Sequence, residues 1–204
     1  MNTSLALAIF SHAEHSSAEL AACRFADESD FYASAPFSGC MILQTCNRVE
    51  ILIHGGADAL SAYLAEAGKE GFAVLEGEAV LSHLLELASG TQSLIVGEDQ
   101  ILGQMKKALS AAEEAGAADA VISACVSNAV RFGVSVRQKT AINRGAVSIG
   151  SAAVLLAEEE LGTLDGRNIL VVGGGETGRL VAKALSEKDI RAIYVANRSF
   201  ENAV

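Results

Sequence analysis

The sequence predicts an α/β chain made of a ferredoxin-like subdomain, a helical block and the opening unit of a dinucleotide-binding sheet, and three observations lead there. A β-α-β-β-α-β order fills the first third. An Ala-, Leu-, Glu-, Lys- and Gln-rich stretch with helical periodicity follows, and a strand, glycine turn, helix and strand close the chain.

Apolar runs predict strands at residues 5–10, 39–44 and 49–54, with a fourth at 72–75, and helices at 16–24 and 57–67. The stretch 27–38, which holds Pro36, is expected to be a loop. From Gly77 the pattern turns helical: Ile101, Met105, Ala108 and Ala112 recur on one face, punctuated by Gly90, Gly97, Gly116 and Gly145. Residues 148–161 are expected as one long helix whose apolar face, Ile149, Ala152, Ala153 and Leu156, needs a partner. The period then switches to a strand at 168–172, a helix to about 187 and a second strand at 191–196. The expected division is a catalytic domain over 1–145 (sheet 1–76, helical block 77–145), a spacer helix over 146–163 and an incomplete nucleotide domain over 164–204. A doubly wound domain needs strands beyond Val204, so the chain reads as the front part of a longer protein.

Half of the 204 residues are hydrophobic, enough to bury real cores, and disorder is excluded as a description of the whole. The four cysteines form no C-x-x-C pair and no metal-ligand spacing with His12, His15, His54 or His83, so no metal is expected and a reducing cytoplasm is. The first residues lack a basic n-region, and no window approaches a membrane span. A net charge of −10 opposes broad capture of nucleic acid, which works by neutralising phosphates. Arg131, Arg137, Lys139 and Arg144 nevertheless form a local basic run, readable either as a solvated helix face plus loop or as a phosphate-contacting patch.

The chemistry centres on Gln44-Thr45-Cys46-Asn47-Arg48-Val49-Glu50, between two apolar runs. A thiolate is the reactive form of cysteine and a neighbouring guanidinium favours it, which makes Cys46 the candidate nucleophile. The competing reading of an unpaired cysteine is a small apolar filler, and Cys23, Cys40 and Cys125 fit that description by their neighbours. Thr45, Asn47, Arg48 and Glu50 crowd a connection where a simple turn would suffice, and polar side chains there are free to face a ligand.

Gly173-Gly174-Gly175-Glu176-Thr177-Gly178 follows its strand at once. The first glycine of the pattern suits the tight turn, the second the approach of backbone to a pyrophosphate, and the third close packing of helix on sheet. A tight turn without ligand is the alternative. At the end of the next strand stand Asn197, Arg198 and Ser199 where a carboxylate would bind the ribose of NADH, so the expected cofactor is NADPH, with Arg198 and Ser199 facing a 2′-phosphate.

With these motifs located, the chain resembles the N-terminal half of glutamyl-tRNA reductases. The resemblance rests on residues 45–50; His83 with Ala88-Ser89-Gly90; the block 93–104; Val136-Arg137 with Thr140; residues 145–148; and the Gly173 turn with Asn197, Arg198 and Ser199. It implies NADPH-dependent reduction of glutamyl-tRNA(Glu) to glutamate-1-semialdehyde through a thioester on Cys46, the entry to five-carbon tetrapyrrole (porphyrin) synthesis. Covalent catalysis suits this chemistry, since a thioester is more electrophilic than an ester; hydrolysis of the same intermediate is the expected side reaction. The resemblance further implies His83 as the active-site histidine, and Thr45, Asn47, Arg48, Ser93, Glu98, Asp99, Gln100 and Gln104 as substrate-site residues. It further implies handover of the aldehyde to glutamate-1-semialdehyde aminomutase, and a full-length homodimer formed through a C-terminal domain.

Two departures stand out. Residues 11–20 lack the proline and Arg-Glu pair usual in that family, and Ser135 lies near a position that is often basic. Two other readings compete: an NADP-dependent dehydrogenase of the shikimate type, which leaves residues 45–50 and 93–104 unexplained, and a non-catalytic tRNA-binding or regulatory fragment.

Overall fold

The computed structural model describes residues 4–143 and 148–199. Arg144 of the basic run and positions 145–147 of the block at 145–148 lie outside the described residues. The contacts divide the chain into a unit of residues 1–94 and 100–139 and another of residues 95–99 and 140–204.

The first unit opens β1 (Leu5–Ser11), α1 (Ser17–Cys23), α2 (Glu28–Ser34), β2 (Cys40–Thr45), β3 (Arg48–His54), α3 (Ala57–Glu66), β4 (Ala73–Glu76). The sheet order is β2-β3-β1-β4 and every pair is antiparallel, the expected ferredoxin-like arrangement. Both faces are covered, which explains why the strands read as continuous apolar runs. Ala6, Ala8, Phe10, Ile42, Val49, Ile51 and Ile53 pack with Leu20, Phe31, Leu60 and Leu64 of the three short helices. Leu5, Leu7, Met41, Leu43 and Leu52 meet α4 (Glu78–Ser89), α5 (Gln100–Glu114) and α6 (Ala120–Lys139) on the opposite face. Strand side chains alternate in direction, so Arg48 and Glu50 share the face of Leu52 and are carried under α4–α6.

Residues 27–38 are not all loop as expected. Asp27 accepts from the Ser29 amide and starts α2, and Phe31 is buried among the edges of Phe25, Tyr32 and Tyr63. A helix of 7 residues is too short to show a period, and its acidic first turn and cap were its only local signal.

Helices α4 and α6 pack so closely that a Cβ at Gly133 would collide with the Ala88 carbonyl. Arg137 Nη1 donates to that carbonyl at 2.5 Å and to Gly133 O at 3.1 Å, so one member of the basic run ties two helices together. Arg131 donates to Asn128 Oδ1 and Lys139 is exposed.

In the second unit α7 (Ile149–Leu161) is capped by Ser148, and β5 (Asn168–Val172), α8 (Glu176–Ser186) and parallel β6 (Ala192–Ala196) follow. Val154, Leu164, Val171 and Leu185 form its core. The expected apolar face of α7 is not the one used, because Val154 is buried while Leu156 is 59% exposed. The helix expected as a separate spacer packs within this unit, and the contacts change over at 139/140 where composition placed the boundary at 145.

Asp119 joins the sheet to α6. Its Oδ1 accepts from the Val121 and Ile122 amides, and Oδ2 lies 2.5 Å from His54 Nδ1. Burial pushes its carboxyl up, but the Ile122 amide and His54 outweigh that and hold it below the usual carboxylate range. A carboxylate with a lowered folded-state pKa contributes stability above its unfolded value and loses it as pH falls through the folded one. Asp119→Ala is therefore expected to cost about 1–2 kcal/mol at neutral pH, and less in acid, as measured by urea unfolding across pH.

Candidate functional site

Cys46 is exposed, while Cys23 and Cys40 are buried and Cys125 is half-buried. Burial pushes the Cys40 thiol up to about 11 and raises those of Cys23 and Cys125, which favours their neutral forms. Cys46 and Asn47 form the two-residue connection of the β2–β3 hairpin, closed by the pair Thr45 and Arg48. Such short loops ordinarily use positive φ, yet no described non-glycine residue has it. Two residues outside the hairpin and one bond within it hold the turn instead. Arg24 Nη1 donates to Thr45 O at 2.8 Å and the His12 amide donates to Asn47 O at 2.9 Å, while inside the turn Thr45 Oγ1 accepts from the Asn47 amide at 3.2 Å. Gln44 braces the same strand end by pairing its side-chain amide with the Phe25 backbone N–H and C=O.

Directly behind the turn lies a buried polar chain. Arg48 Nη1 donates to Glu50 Oε1 at 2.7 Å, and Glu50 Oε2 lies 3.1 Å from Nε2 of His83 on α4. Arg48 Nη2 donates to the Gln92 carbonyl. Arg48, Glu50 and His83 are only 3%, 2% and 9% exposed. Burial alone would push the Glu50 carboxyl up, but the hydrogen bond and charge of His83 and the neighbouring Arg48 hold it low. An ionised Glu50 makes Nε2 the donor, which leaves the lone pair of a neutral His83 ring on Nδ1.

The Arg48 charge expected to act on the thiol is thus offset by a carboxylate, although the guanidinium retains N–H groups for a further acceptor. Its bond to Gln92 pins the loop that carries Ser93. Among the described residues Ser93 Oγ is a buried side-chain atom with no hydrogen-bond partner.

The structure therefore gathers Thr45, Cys46, Asn47, Arg48, His83 and Ser93 within the first unit. Gln100 and Gln104 lie on the first turns of α5 in that unit, Gln104 half-buried, while Glu98 and Asp99 fall in the segment grouped with the second unit. Sequence reasoning counted Glu50 among the polar side chains of the connection without giving it a role, and passed over Arg24 and His12. The i, i+2 spacing of Arg48 and Glu50 on one strand face was the available signal for the first. Nothing local marks the other two.

In the second unit Gly173 (φ +109°) turns the chain after β5, and α8 starts at Glu176. A Cβ at Gly178 would strike the Gly173 carbonyl, which is the close helix-to-turn approach that the third glycine permits. Among the described residues a Cβ at Gly173 or Gly175 would meet nothing within 4 Å, leaving space above the turn for a phosphate group. Asn197 Oδ1 accepts from the Gly174 amide at 3.2 Å and its Nδ2 donates to Ser199 O at 2.8 Å, which joins the turn to the end of β6 beside exposed Arg198. Glu176 and Thr177 form the first turn of α8.

By layout the chain is an α/β unit presenting a cysteine on a braced hairpin, followed by the start of a dinucleotide-binding fold. Residues 7–140 match the family model described as glutamyl-tRNAGlu reductase, N-terminal domain, and the chain belongs to the glutamyl-tRNA reductase family. Residues 155–204 match the model for shikimate / quinate 5-dehydrogenase. The glutamyl-tRNA reductases of Methanocorpusculum labreanum and Methanoculleus marisnigri are 58% and 59% identical to it over 99% and 98% of this chain, and 48% of each relative. The solved glutamyl-tRNA reductase from Methanopyrus kandleri, 40% identical, superposes with a TM-score of 0.72 over 100% of this chain and 51% of that one. The chain thus spans about half the length of the curated relatives it matches. The shikimate-type reading is not favoured, since that match is confined to the nucleotide-binding start.

Removing one partner from a buried ion pair leaves an uncompensated charge, so Glu50→Ala is expected to cost about 3–5 kcal/mol in urea-unfolding free energy.

Proposed function

We propose that the chain carries the acyl-transfer half of an NADPH-dependent reduction of glutamyl-tRNA(Glu) to glutamate-1-semialdehyde, with Cys46 as nucleophile. The single observation that carries this is the exposed Cys46 turn set directly on the buried Arg48–Glu50–His83 chain. The Cys46 sulfur attacks the ester carbonyl carbon; a C–S bond forms, the ester C–O bond breaks, and the tRNA ribose oxygen leaves with a proton. His83, oriented by Glu50, is suited to hold the thiol proton on Nδ1 and return it to that oxygen. Arg48 and Ser93 are suited to receive the substrate's free carboxylate, because Arg48 keeps spare N–H donors and Ser93 Oγ is buried without a partner. Thr45, Asn47, Gln100 and Gln104, with Glu98 and Asp99, complete the substrate-site assignment.

NADPH, when bound, supplies the hydride that reduces the thioester to aldehyde and frees the thiol. The residues that would hold it are Gly173, Gly174, Gly175, Glu176, Thr177 and Gly178 around the phosphates, and Asn197, Arg198 and Ser199 at the ribose. The open space above Gly173 and Gly175 fits that assignment. The product aldehyde would pass to glutamate-1-semialdehyde aminomutase, and the whole protein would dimerise through its C-terminal part in the cytoplasm. No helix among the described residues is long and apolar enough to cross a membrane, and no described group of three or more His, Cys, Asp or Glu residues could hold a metal ion.

Incubation with labelled glutamyl-tRNA is expected to transfer glutamate to Cys46, as mapped by peptide mass spectrometry. The Cys46→Ser variant is expected to accumulate no thioester; labelling that persists in that variant sinks the assignment. In a chain with the complete nucleotide domain, Arg198→Ala is expected to raise the Kd for NADPH about tenfold or more while leaving NADH binding unchanged, and an unchanged NADPH to NADH ratio contradicts it.

A further inference from the structure

We infer that His12 is a positioning residue for the Cys46 turn, acting through the carbonyl of Asn47; this rests on the reading of Cys46 as the nucleophile. The β1–β3 ladder pairs Ser11 with Arg48 as its last register pair, and the His12 amide then makes one further bond to Asn47 O at 2.9 Å. His12 Nδ1 lies 3.2 Å from the same oxygen. A carbonyl can only accept, so Nδ1 must carry a hydrogen, and two donors from one residue converge on the Asn47–Arg48 peptide, which ends the turn one residue beyond Cys46. The bond also fixes the tautomer of the neutral ring as Nδ1–H, leaving the lone pair on Nε2.

The turn needs this hold. Its two residues lack the positive φ that stabilises short hairpin loops on their own. On the opposite flank, Arg24 engages Thr45 O. A thiol that must meet a carbonyl carbon within about 3–3.5 Å gains from having the backbone held before it at Thr45 O and beyond it at Asn47 O, since small misplacements slow a reaction steeply. His12 belongs to none of the acid, base or substrate positions assigned above, and it comes from the segment where the chain departs from the usual family pattern.

Asparagine places an amide nitrogen near the position of imidazole Nδ1, whereas glutamine places one near Nε2, so the pair discriminates a specific bond from a general packing role. Nitrogen-15 spectra at a pH where the ring is neutral are expected to show His12 as the Nδ1–H tautomer. The Cys46 resonances are expected to form one sharp set in the wild type and in His12→Asn, and to broaden or double in His12→Ala and His12→Gln. Single-turnover transfer of glutamate from glutamyl-tRNA to Cys46 is expected to slow about tenfold or more in His12→Ala and His12→Gln with unchanged KM, and to recover in His12→Asn. An Nε2–H tautomer, Cys46 resonances unaltered in His12→Ala, or equal behaviour of the Asn and Gln variants overturns the inference. Should the wild type accept no glutamate while the resonance pattern still follows the expected order, the nucleophile assignment fails and the positioning role of His12 stands.

Discussion

One buried carboxylate ties the strand that leaves the Cys46 turn to the helix that covers it. Glu50 stands on the sheet face covered by α4–α6 and accepts from Arg48 on its own strand and from His83 on α4. An ion buried this deeply is costly unless its oxygens are fully engaged. Here both oxygens are, and the outcome is a carboxylate held below its usual range despite its burial. Two elements far apart in sequence are thereby locked together. Arg48 extends the lock to the loop at Gln92, so Ser93 and His83 are fixed relative to the hairpin that carries the thiol.

The hairpin shows the complementary strategy. A two-residue connection without positive φ gains little from its own geometry, and its order comes from neighbours: Arg24 on the carbonyl of Thr45, His12 on that of Asn47. Rigidity is built beneath and beside the proposed nucleophile while Cys46 itself stays exposed. That division suits the proposed role of Cys46 toward a large substrate, because contacts to the sulfur itself would have to be broken at each turnover.

Strands and most helices were legible in the sequence because a doubly covered sheet writes uninterrupted apolar runs, and the glycine turn because Gly173 and Gly178 answer to local steric demands. Helix α2 was missed, since seven residues around one buried Phe31 leave no period to read. The apolar face of α7 was misjudged because Val154, and not Leu156, meets the unit's core, a choice made by the packing partner. In the site, Cys46, Arg48 and His83 were visible as residues, but their relations were not. Arg48 looked like a cation aimed at a thiol until its partner Glu50, two residues along the same face, was seen to neutralise it. His12 carries no local signal, and only the register of β1 against β3 brings it to Asn47.

The central claim is that Glu50 couples β3 to α4 through His83, and a double-mutant cycle on unfolding free energy tests it most directly. Glu50→Gln and His83→Ala, alone and combined, are expected to show a coupling of about 1 kcal/mol or more, the second change costing little once the first is made. Strictly additive effects would contradict the account.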